Sequence, residues 1–571
     1  MPEQSKHKRQ VAAGFVLVVL LAVFVPPFVN ANLFRARLAR SVSGSLGRNV
    51  TMGDVKIKLL PLPGFQIQDF VVMDDPAFSA EPMLRAESVT ARLRLTSLWR
   101  GRLEIARLSF AYPSLNLVRN AEGRWNIEGL LAHASQVSAA PTAKKKPESR
   151  PRFPYIEADT GRINFKLLQE KKAHALVEAD FALWQESENQ WNMRLEARPT
   201  RTDANLGDTG TLRIEGSFQR ADKIENTPMK VSFDWQRAQL GQLTALIYGR
   251  DRGWRGDIRL SGTLEGMPQQ FSAKASAQVD DFHRYDISGD DSLSLSAQCN
   301  ANHSTVTGTD AFGFRNTLSC NVSVPPGNVE FRAYGKYWWL KPDYISVRAQ
   351  GAPVSALAQL YRRAKRDVPR DLVGNGTMNG YFSRIYFPDA DHPRWIGQGT
   401  LANVHLSSAN LAQDFVVDTA HFGFNQVEQS PEGPNSTGLA LRLGSAKGTV
   451  ALNPPANVFT VDPFPANLGG LRPLIISGTN SKNGLQLLIK GDSDVKQLSS
   501  AAELFGLQIP PSARQSVGVA NVELNISDEW TGFAAPTVTG TIRETARPSL
   551  TTATETASNQ QHAKTPKPSR Q

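Results

Sequence analysis

Alternation of apolar and polar residues is the dominant pattern of this chain, and it is clearest in residues 87–110, ESVTARLRLTSLWRGRLEIARLSF. Every second residue from Val89 to Leu95 is apolar, and threonine and arginine occupy the positions between them. This period of two predicts β-strands with one dry face and one wet face. After Ile105 the apolar phase slips by one residue, so that Leu108 continues the dry face. The slip predicts a β-bulge.

The same alternation recurs along most of the chain and indicates a mainly β protein. Further predicted strands cover residues 55–59, 65–73, 114–119, 163–167, 177–183, 191–195, 212–218, 231–235, 258–264, 271–279, 345–349, 485–489 and 522–526.

Helical patterns are few. A short helix is predicted from Asn32 to about Arg48, and three amphipathic segments lie at residues 236–250, 350–364 and 491–506. In each of these three, an apolar residue is followed three positions later by leucine, and a strand pattern follows. The three segments are either a diverged internal repeat of helix and sheet or three unrelated surface helices.

The dry faces of the strands need a cover that these helices are too short to provide. Apolar surface left in water costs about 25 cal/mol per Å². The sheet therefore closes on itself as a sandwich or solenoid, or it forms an elongated, curved antiparallel groove whose floor is covered by an apolar guest. About twenty strands in series would span on the order of 100 Å, a length suited to acyl chains. The pattern allows both architectures.

The N-terminus predicts a membrane anchor. Basic residues, including Lys6 and Arg9, precede an uncharged apolar run from Val11 to Val29, and a bilayer-spanning helix needs about 20 such residues. We expect residues 1–10 in the cytoplasm, a single transmembrane helix at residues 11–31, and the rest of the chain across the membrane. A cleaved signal peptide is the alternative.

The remaining chain divides by composition. Residues 32–133 form a first β module, residues 134–152 a polar linker that contains proline, and residues 153–545 a β-groove body with the helix and strand repeats. Residues 546–571 lack large apolar side chains apart from Leu550 and are predicted to be a disordered tail.

The two cysteines, Cys299 and Cys320, lie on the dry faces of two strand-like segments. They either form a cross-strand disulfide, which would suit an oxidising compartment, or fill a core as two small side chains. Their spacing offers no metal site.

Charge and motifs indicate no catalytic chemistry. The net charge is +11, but the arginines are scattered along strand faces, which favours a solvated basic surface over a nucleic-acid interface. The acidic pairs Asp74-Asp75 and Asp290-Asp291, and the group Asp389, Asp391 and His392, are predicted to be polar turns. The chain contains no nucleophile elbow, zinc-protease or phosphate-loop motif. We expect no enzymatic activity, cofactor or metal.

Three stretches of the N-terminal region resemble the AsmA family of bacterial envelope proteins: residues 46–78, 84–120 and 123–131. The resemblance is strong up to Leu131 and loose beyond it. Its most specific elements are Leu46-Gly47-Arg48, Pro61 with Pro63-Gly64, Asp74-Asp75-Pro76, Leu103-Glu104-Ile105, Pro113, Gly123 and Trp125-Asn126.

This resemblance implies a bacterial inner-membrane anchor and a periplasmic β-groove related to the chorein-type bridge-like lipid carriers. It also implies a role in phospholipid movement toward the outer membrane, or in the homeostasis of outer-membrane protein and lipopolysaccharide. The expected partners are phospholipid or another diacyl lipid, the inner membrane, and envelope or outer-membrane proteins, with no nucleic acid.

We therefore expect dry-face residues to line a groove that carries acyl chains between membranes. The residues predicted to line it are Val89, Leu93, Leu95, Ile105, Phe165, Phe181, Ile258, Leu260 and Leu524. The alternative is an envelope scaffold that regulates outer-membrane protein assembly and holds no lipid. A hydrolase on the same sheet would need convergent acidic residues, and the sequence offers no such pair.

Overall fold

The structure is a computed structural model. The described part of the chain comprises residues 31–58, 62–94, 105–121, 124–129, 154–167, 170–187, 189–219, 221, 224–287, 292–305, 316–335, 342–366, 368–385, 394–411, 413–424, 458–481, 484–505, 507, 517–528 and 537–544. The predicted linker at residues 134–152 and the tail at residues 546–571 lie outside it.

The described residues form one sheet of 25 strands. Its first strands are β1 (Val50–Thr51), β2 (Val55–Lys58), β3 (Gly64–Met73), β4 (Pro82–Leu93), β5 (Ile105–Ala111), β6 (Ser114–Arg119), β7 (Tyr155–Leu167), β8 (Glu170–Gln185), β9 (Gln190–Arg201), β10 (Thr211–Gln219), β11 (Met229–Gln239), β12 (Trp254–Met267) and β13 (Gln270–Arg284). The remaining strands are β14 (Leu295–Ser304), β15 (Thr317–Val324), β16 (Gly327–Tyr334), β17 (Tyr344–Pro353), β18 (Val373–Ile385), β19 (Arg394–Ser407), β20 (Phe415–Phe424), β21 (Phe459–Ala466), β22 (Leu474–Ser481), β23 (Gly484–Asp494), β24 (Val519–Asp528) and β25 (Thr537–Glu544).

From β7 to β25 each strand pairs antiparallel with the next one in the chain. The prediction of an antiparallel sheet is wrong at one point, because β5 and β6 both pair in parallel with β7. This parallel pairing follows from the connection between β6 and β7, which returns the chain to the same end of the sheet. The predicted N-terminal module and body therefore share one continuous sheet.

The predicted bulge in the first module is confirmed. Arg92 pairs with Arg107, but Leu93 pairs with Ile105, so that Ala106 is the extra residue in β5. The bulge returns Leu108 to the face of Ala91, its partner on β4. A phase slip in the sequence thus located a register shift in the sheet.

All four predicted helices are present: α1 (Arg35–Leu46), preceded by a 3-10 turn at Ala31–Phe34, α2 (Leu240–Tyr248), α3 (Val354–Ala364) and α4 (Val495–Leu504). In the described part of the chain, no helix combines the length and the apolar character needed to cross a membrane. The anchor predicted at residues 11–31 lies outside this part, apart from Ala31.

Helices α2, α3 and α4 occupy one long edge of the sheet at a constant interval. They follow β11, β17 and β23, so each helix comes six strands after the one before it. Odd-numbered strands of an antiparallel series run in the same direction, and the three helices therefore leave the sheet at the same edge. Their irregular spacing in sequence conceals a regular spacing in the structure. We call this edge the helix edge and the opposite one the open edge.

Hydrogen bonds tie the helix edge together. The last carbonyls of α2, those of Leu246 and Ile247, accept hydrogen bonds from Arg201 on β9 at 3.2 and 3.1 Å. Helix α3 reaches back to β13, where buried Arg363 donates to the Asp281 carboxylate at 2.5 Å and to the Phe282 carbonyl at 3.2 Å.

Two further hydrogen bonds join α3 to the end of α4. The Tyr361 hydroxyl and the Lys365 ammonium group both donate to the Phe505 carbonyl at 2.9 Å. Together with the hydrogen bonds of α2 and Arg363, they join α2 to β9, α3 to β13 and α3 to α4 along the helix edge.

Fully buried hydrophobic side chains gather mainly at two places. One cluster fills the space between α3, α4 and strands β19–β24. The other lies in the first module, where Leu38 and Val42 of α1 pack over residues of β3 and β4 that include Ile67 and Val89. In the described part of the chain, a small third group on β8 and β9 is the only other such cluster.

A network of buried polar side chains around Asn126, which we call the latch, joins the strands and turns of the first module. The Asn126 amide donates to the Asp74 carboxylate at 2.7 Å and to the Asn116 carbonyl at 2.9 Å, and its oxygen accepts from the Val118 amide at 3.1 Å. Arg48 donates to the Asp75 carboxylate at 3.3 Å and to the Asn126 carbonyl at 3.4 Å.

The prediction of a solvated turn at Asp74-Asp75 is therefore wrong for Asp74, which is 7% exposed. Burial raises the pKa of the Asp74 carboxyl, and the hydrogen bond from Asn126 opposes this rise. Asp290 and Asp291 lie outside the described part of the chain.

We expect Asn126→Ala to destabilise the first module by about 3 kcal/mol, because it leaves several buried polar groups without their partner. Amide hydrogen exchange of β3, β4 and β6 measures this locally in a chain too large for simple two-state unfolding. The matched control is Asn192→Ala, which removes an exposed amide that donates to Glu186 at 2.8 Å. Equal exchange rates in the two variants would contradict the role of the latch.

Candidate functional site

Two rows of cross-strand neighbours form an apolar floor on one face of the sheet. The first floor row runs from β2 to β21, and its members are Val55, Ile67, Val89, Phe110, Ala158, Phe181, Leu195, Ile214, Phe233, Gly262, Ala275, Cys299, Cys320, Phe331, Val347, Phe382, Gly397, Phe424 and Phe459. The second floor row runs from β9 to β25, and its members are Ala197, Leu212, Trp235, Leu260, Ala277, Ala297, Val322, Val329, Ala349, Gly380, Gly399, Phe422, Val461, Gly478, Leu487, Ile526 and Val538.

Neither row contains a charged residue, a hydroxyl or an amide side chain. The one indole N–H of the second floor row, that of Trp235, donates to the Thr209 carbonyl at 2.8 Å. The apolar stripe is therefore unbroken by any unpaired polar group along its length.

The opposite face of the same strands is polar. One residue away from the floor, the row from β9 to β25 contains Glu196, Arg213, Asp234, Ser261, Ser276, Gln298, Asn321, Glu330, Arg348, Tyr381, Gln398, Gly423, Thr460, Thr479, Gln486, Ser527 and Thr537. The sheet thus has a solvated outer face and an apolar inner face over its whole body.

Among the described residues, no second layer covers the middle of the floor. From β10 to β16 every member of the second floor row is only partly buried, and none of the buried clusters in the described part of the chain is centred on these strands. A sandwich would bury such residues almost completely, because its inner faces interdigitate. Over these strands, the inner face of this long sheet is therefore left uncovered by the described residues, and we call it the groove.

Glycines in the floor allow aromatic rings to lie across neighbouring strands. A Cβ atom on Gly262 would lie 2.6 Å from Cζ of Phe233, and one on Gly399 would lie 2.5 Å from two ring carbons of Phe422. Real Cβ atoms do not approach carbon so closely, so each ring occupies the space above a glycine. The rings are held down against the sheet, which keeps the space above the floor free.

The groove deepens into a trough over strands β11–β15. The trough has a volume of about 510 Å³, within the range of small-molecule sites. Its walls are almost entirely apolar and comprise Phe233, Leu264, Pro268, Phe271, Ala273, Ala275, Cys299, Ala301, His303 and Leu318.

A disulfide joins Cys299 and Cys320 in the floor of the trough, with an S–S distance of 2.09 Å. The two residues are direct cross-strand partners on β14 and β15. Of the two alternatives that the sequence left open, the structure contains the covalent one. It removes both thiols from an otherwise apolar surface.

His303 is the one titratable side chain in the wall of the trough, where it packs against Phe271 with ring centroids 5.0 Å apart. Burial lowers the pKa of its imidazole below the usual value. The ring is therefore neutral at pH 7 and adds no charge to the apolar wall.

Most residues predicted to line the groove lie on its inner face. Phe181 belongs to the first floor row and Leu260 to the second, and Leu93 and Ile105 face each other across β4 and β5. Phe165 on β7 pairs with Leu117 on the inner face, and Leu524 on β24 pairs with Ile489.

Two of the predicted lining residues are closed off from the groove. Val89 is 1% exposed within the cluster against which α1 packs, and Ile258 is 8% exposed on β12, the strand that α2 contacts. Both lie on the predicted face, but neither offers surface to a guest. Leu95 lies outside the described part of the chain.

The sequence analysis missed the residues that shape the trough, such as Phe233, Phe271 and Ala275. They alternate like any other strand residues, and only the register between strands brings them together. The available signal of a floor that needs free space was the pair Gly262 and Gly266, which lie on the same strand face in SGTLEG, residues 261–266.

No three His, Cys, Asp or Glu side chains of the described residues lie close enough together to hold a metal ion. The group Asp389, Asp391 and His392 lies outside these residues.

Comparison with protein families gives one match. Residues 1–184 match the model of the AsmA family. This match, over about the first third of the chain, supports an AsmA-family protein. No curated protein matches the chain, and no solved structure matches it either.

The match to the AsmA family ends inside β8, so it covers the first module and the start of the body. Three of the sequence elements that carry the resemblance, at Arg48, Asp74-Asp75 and Asn126, meet in the buried latch. These elements therefore specify the packing of the module. The second floor row and the trough lie beyond the matched segment.

We expect the disulfide to stabilise β14 and β15 by about 3 kcal/mol, because it closes a loop between residues 21 apart in sequence. The double variant Cys299→Ala, Cys320→Ala should therefore show faster amide hydrogen exchange in these strands and unchanged exchange in β3 and β4. In the unaltered protein, a thiol-alkylating reagent under denaturing conditions should label neither cysteine until a reductant is added. Labelling without reductant would contradict the bond.

Proposed function

We propose that this AsmA-family protein carries phospholipid acyl chains along its inner face, as a passive conduit in the bacterial envelope. The observation that carries the proposal is the unbroken second floor row, apolar from β9 to β25 and only partly buried over β10–β16. Exposed apolar surface of this extent favours an apolar occupant, since covering it stabilises the complex by about 25 cal/mol per Å².

The proposed mechanism involves no bond making. Acyl chains lie on the floor and exchange one apolar contact for another as they move along the row, so no step places them against a charge. The solvated outer face keeps the sheet in water. The resemblance stated above supports a single N-terminal anchor in the inner membrane, a periplasmic body, and transfer that serves the outer membrane.

A charge on the floor should block this path. Leu260→Asp places a carboxylate in the second floor row, where an acyl chain would have to desolvate it. We expect at least a tenfold loss of phospholipid that co-purifies with the gently extracted protein, as measured by mass spectrometry. The matched control is Ser261→Asp on the next residue, which faces the solvated side.

The result also separates the conduit from the alternative of an envelope scaffold. A conduit should carry about one or more diacyl lipids per chain in the unaltered protein and in Ser261→Asp. A protein that carries none, or equal amounts in Leu260→Asp and Ser261→Asp, contradicts lipid transport and favours the scaffold.

A further inference from the structure

The two long edges of the groove differ in a way that determines how a ligand enters. At the helix edge, α3 and α4 pack with residues of β19–β24 in a hydrophobic cluster, and hydrogen bonds from Arg363 join α3 to β13. The strands at the opposite edge are joined by short turns such as Pro268–Gln269 between β12 and β13. From β9 to β14, the described residues place no α-helix at this open edge. The connection between β10 and β11 contains one 3-10 turn, Ile224–Asn226, whose Asn226 side chain accepts a hydrogen bond from Gln269 at 2.7 Å.

Beyond the row of Leu264, Ala273 and Ala301, which adjoins the first floor row, a last cross-strand row lies at the open edge. We call it the rim row, and its members are Trp191, Phe218, Met229, Gly266, Phe271 and His303. Each is the first or second residue from the end of its strand. The row faces inward, because Phe271 and His303 line the trough.

Aromatic pairs dominate the rim row. The rings of Trp191 and Phe218 stack with centroids 6.4 Å apart, and those of Phe271 and His303 lie 5.0 Å apart. The floor rows between the same strands are mainly aliphatic, with Ala275 and Ala277 on β13, and Ala273 lies in the row next to them. The inner face thus changes from small aliphatic residues in the floor to flat aromatic residues at the rim.

This arrangement matches the needs of an amphiphile. Tryptophan and histidine rings present an apolar body and one polar N–H, and such side chains favour a boundary between apolar and wet surroundings. Beyond the rim row lie polar strand ends that include Gln219, Gln270 and Ser304. A chain lying on the floor would therefore pass over the aromatic rings before its polar end reaches water.

We infer that the open edge is the mouth of the groove, where the rim row contacts the glycerol and headgroup region of a glycerophospholipid while its acyl chains lie on the floor. This rests on the proposed function. It adds the side from which lipid enters, the orientation of the lipid across the groove, and the residues at its polar end. The helix edge is the closed side.

Two photoactivatable phospholipids test the orientation on the full-length protein in detergent. One carries a diazirine at the end of an acyl chain, and the other carries it on the headgroup amine of phosphatidylethanolamine. After irradiation and digestion, mass spectrometry locates the adducts. We expect acyl-chain adducts on the floor rows, and headgroup adducts at least fivefold more abundant on rim-row residues than on α2 and α3.

The outcomes separate the inference from the function it rests on. Acyl-chain adducts on the floor together with headgroup adducts at the helix edge would contradict the assignment of the open edge as the mouth. The same result would still support the proposed lipid conduit. The absence of acyl-chain adducts on the inner face overturns both. Headgroup adducts spread over the floor mean that the lipid lies along the groove without a fixed orientation, which also overturns the inference.

Two variants that each introduce one aspartate, one in the rim row and one at the helix edge, control for a general loss of folding. Phe271→Asp in the rim row should reduce headgroup adducts on Phe218 and His303 several-fold. Tyr248→Asp, on an exposed residue at the end of α2, should leave both labelling patterns unchanged. A loss of rim labelling in Tyr248→Asp equal to that in Phe271→Asp contradicts the assignment of the mouth.

Discussion

The structure depends on a difference between backbone and side-chain interactions. Neighbouring strands satisfy the backbone hydrogen bonds of each strand, but the described residues supply no second layer over the middle of one side-chain face. Antiparallel pairing can continue from β7 to β25 because each strand supplies the hydrogen bonds that the next one needs. Side chains need a second layer to be buried, and here α1, α3 and α4 provide one only at the ends and along one edge. The apolar middle of the sheet is the direct consequence.

Size and shape of the floor residues keep this middle open. Alanines such as Ala275 and Ala277 leave depth above the strands, and glycines such as Gly262 let a ring from the next strand lie flat. Larger residues at these positions would fill the groove with the protein's own side chains and turn the sheet toward a packed solenoid. The disulfide between Cys299 and Cys320 also helps to keep the groove open, because it is a small apolar part of the floor and leaves no polar thiol there.

The sequence predicted local features of this fold well, because they depend on residues close together in the chain. The bulge near Ile105, the strand faces around Leu260 and the helices that begin at Leu240, Val354 and Val495 all follow from the period of the apolar residues. Features that join distant segments were not predictable in this way. The alternation gave no sign that β7 would pair in parallel, or that the helices would be spaced evenly by strands.

The alternation of apolar and polar residues also could not predict which single residues are buried. Asp74 belongs to a turn with the composition of a solvated loop, yet Asn126, 52 residues later, supplies the partner that allows its burial. Val89 and Leu260 alternate alike, but only Val89 lies beneath α1. A period of two determines which face a side chain takes and leaves open what lies above that face.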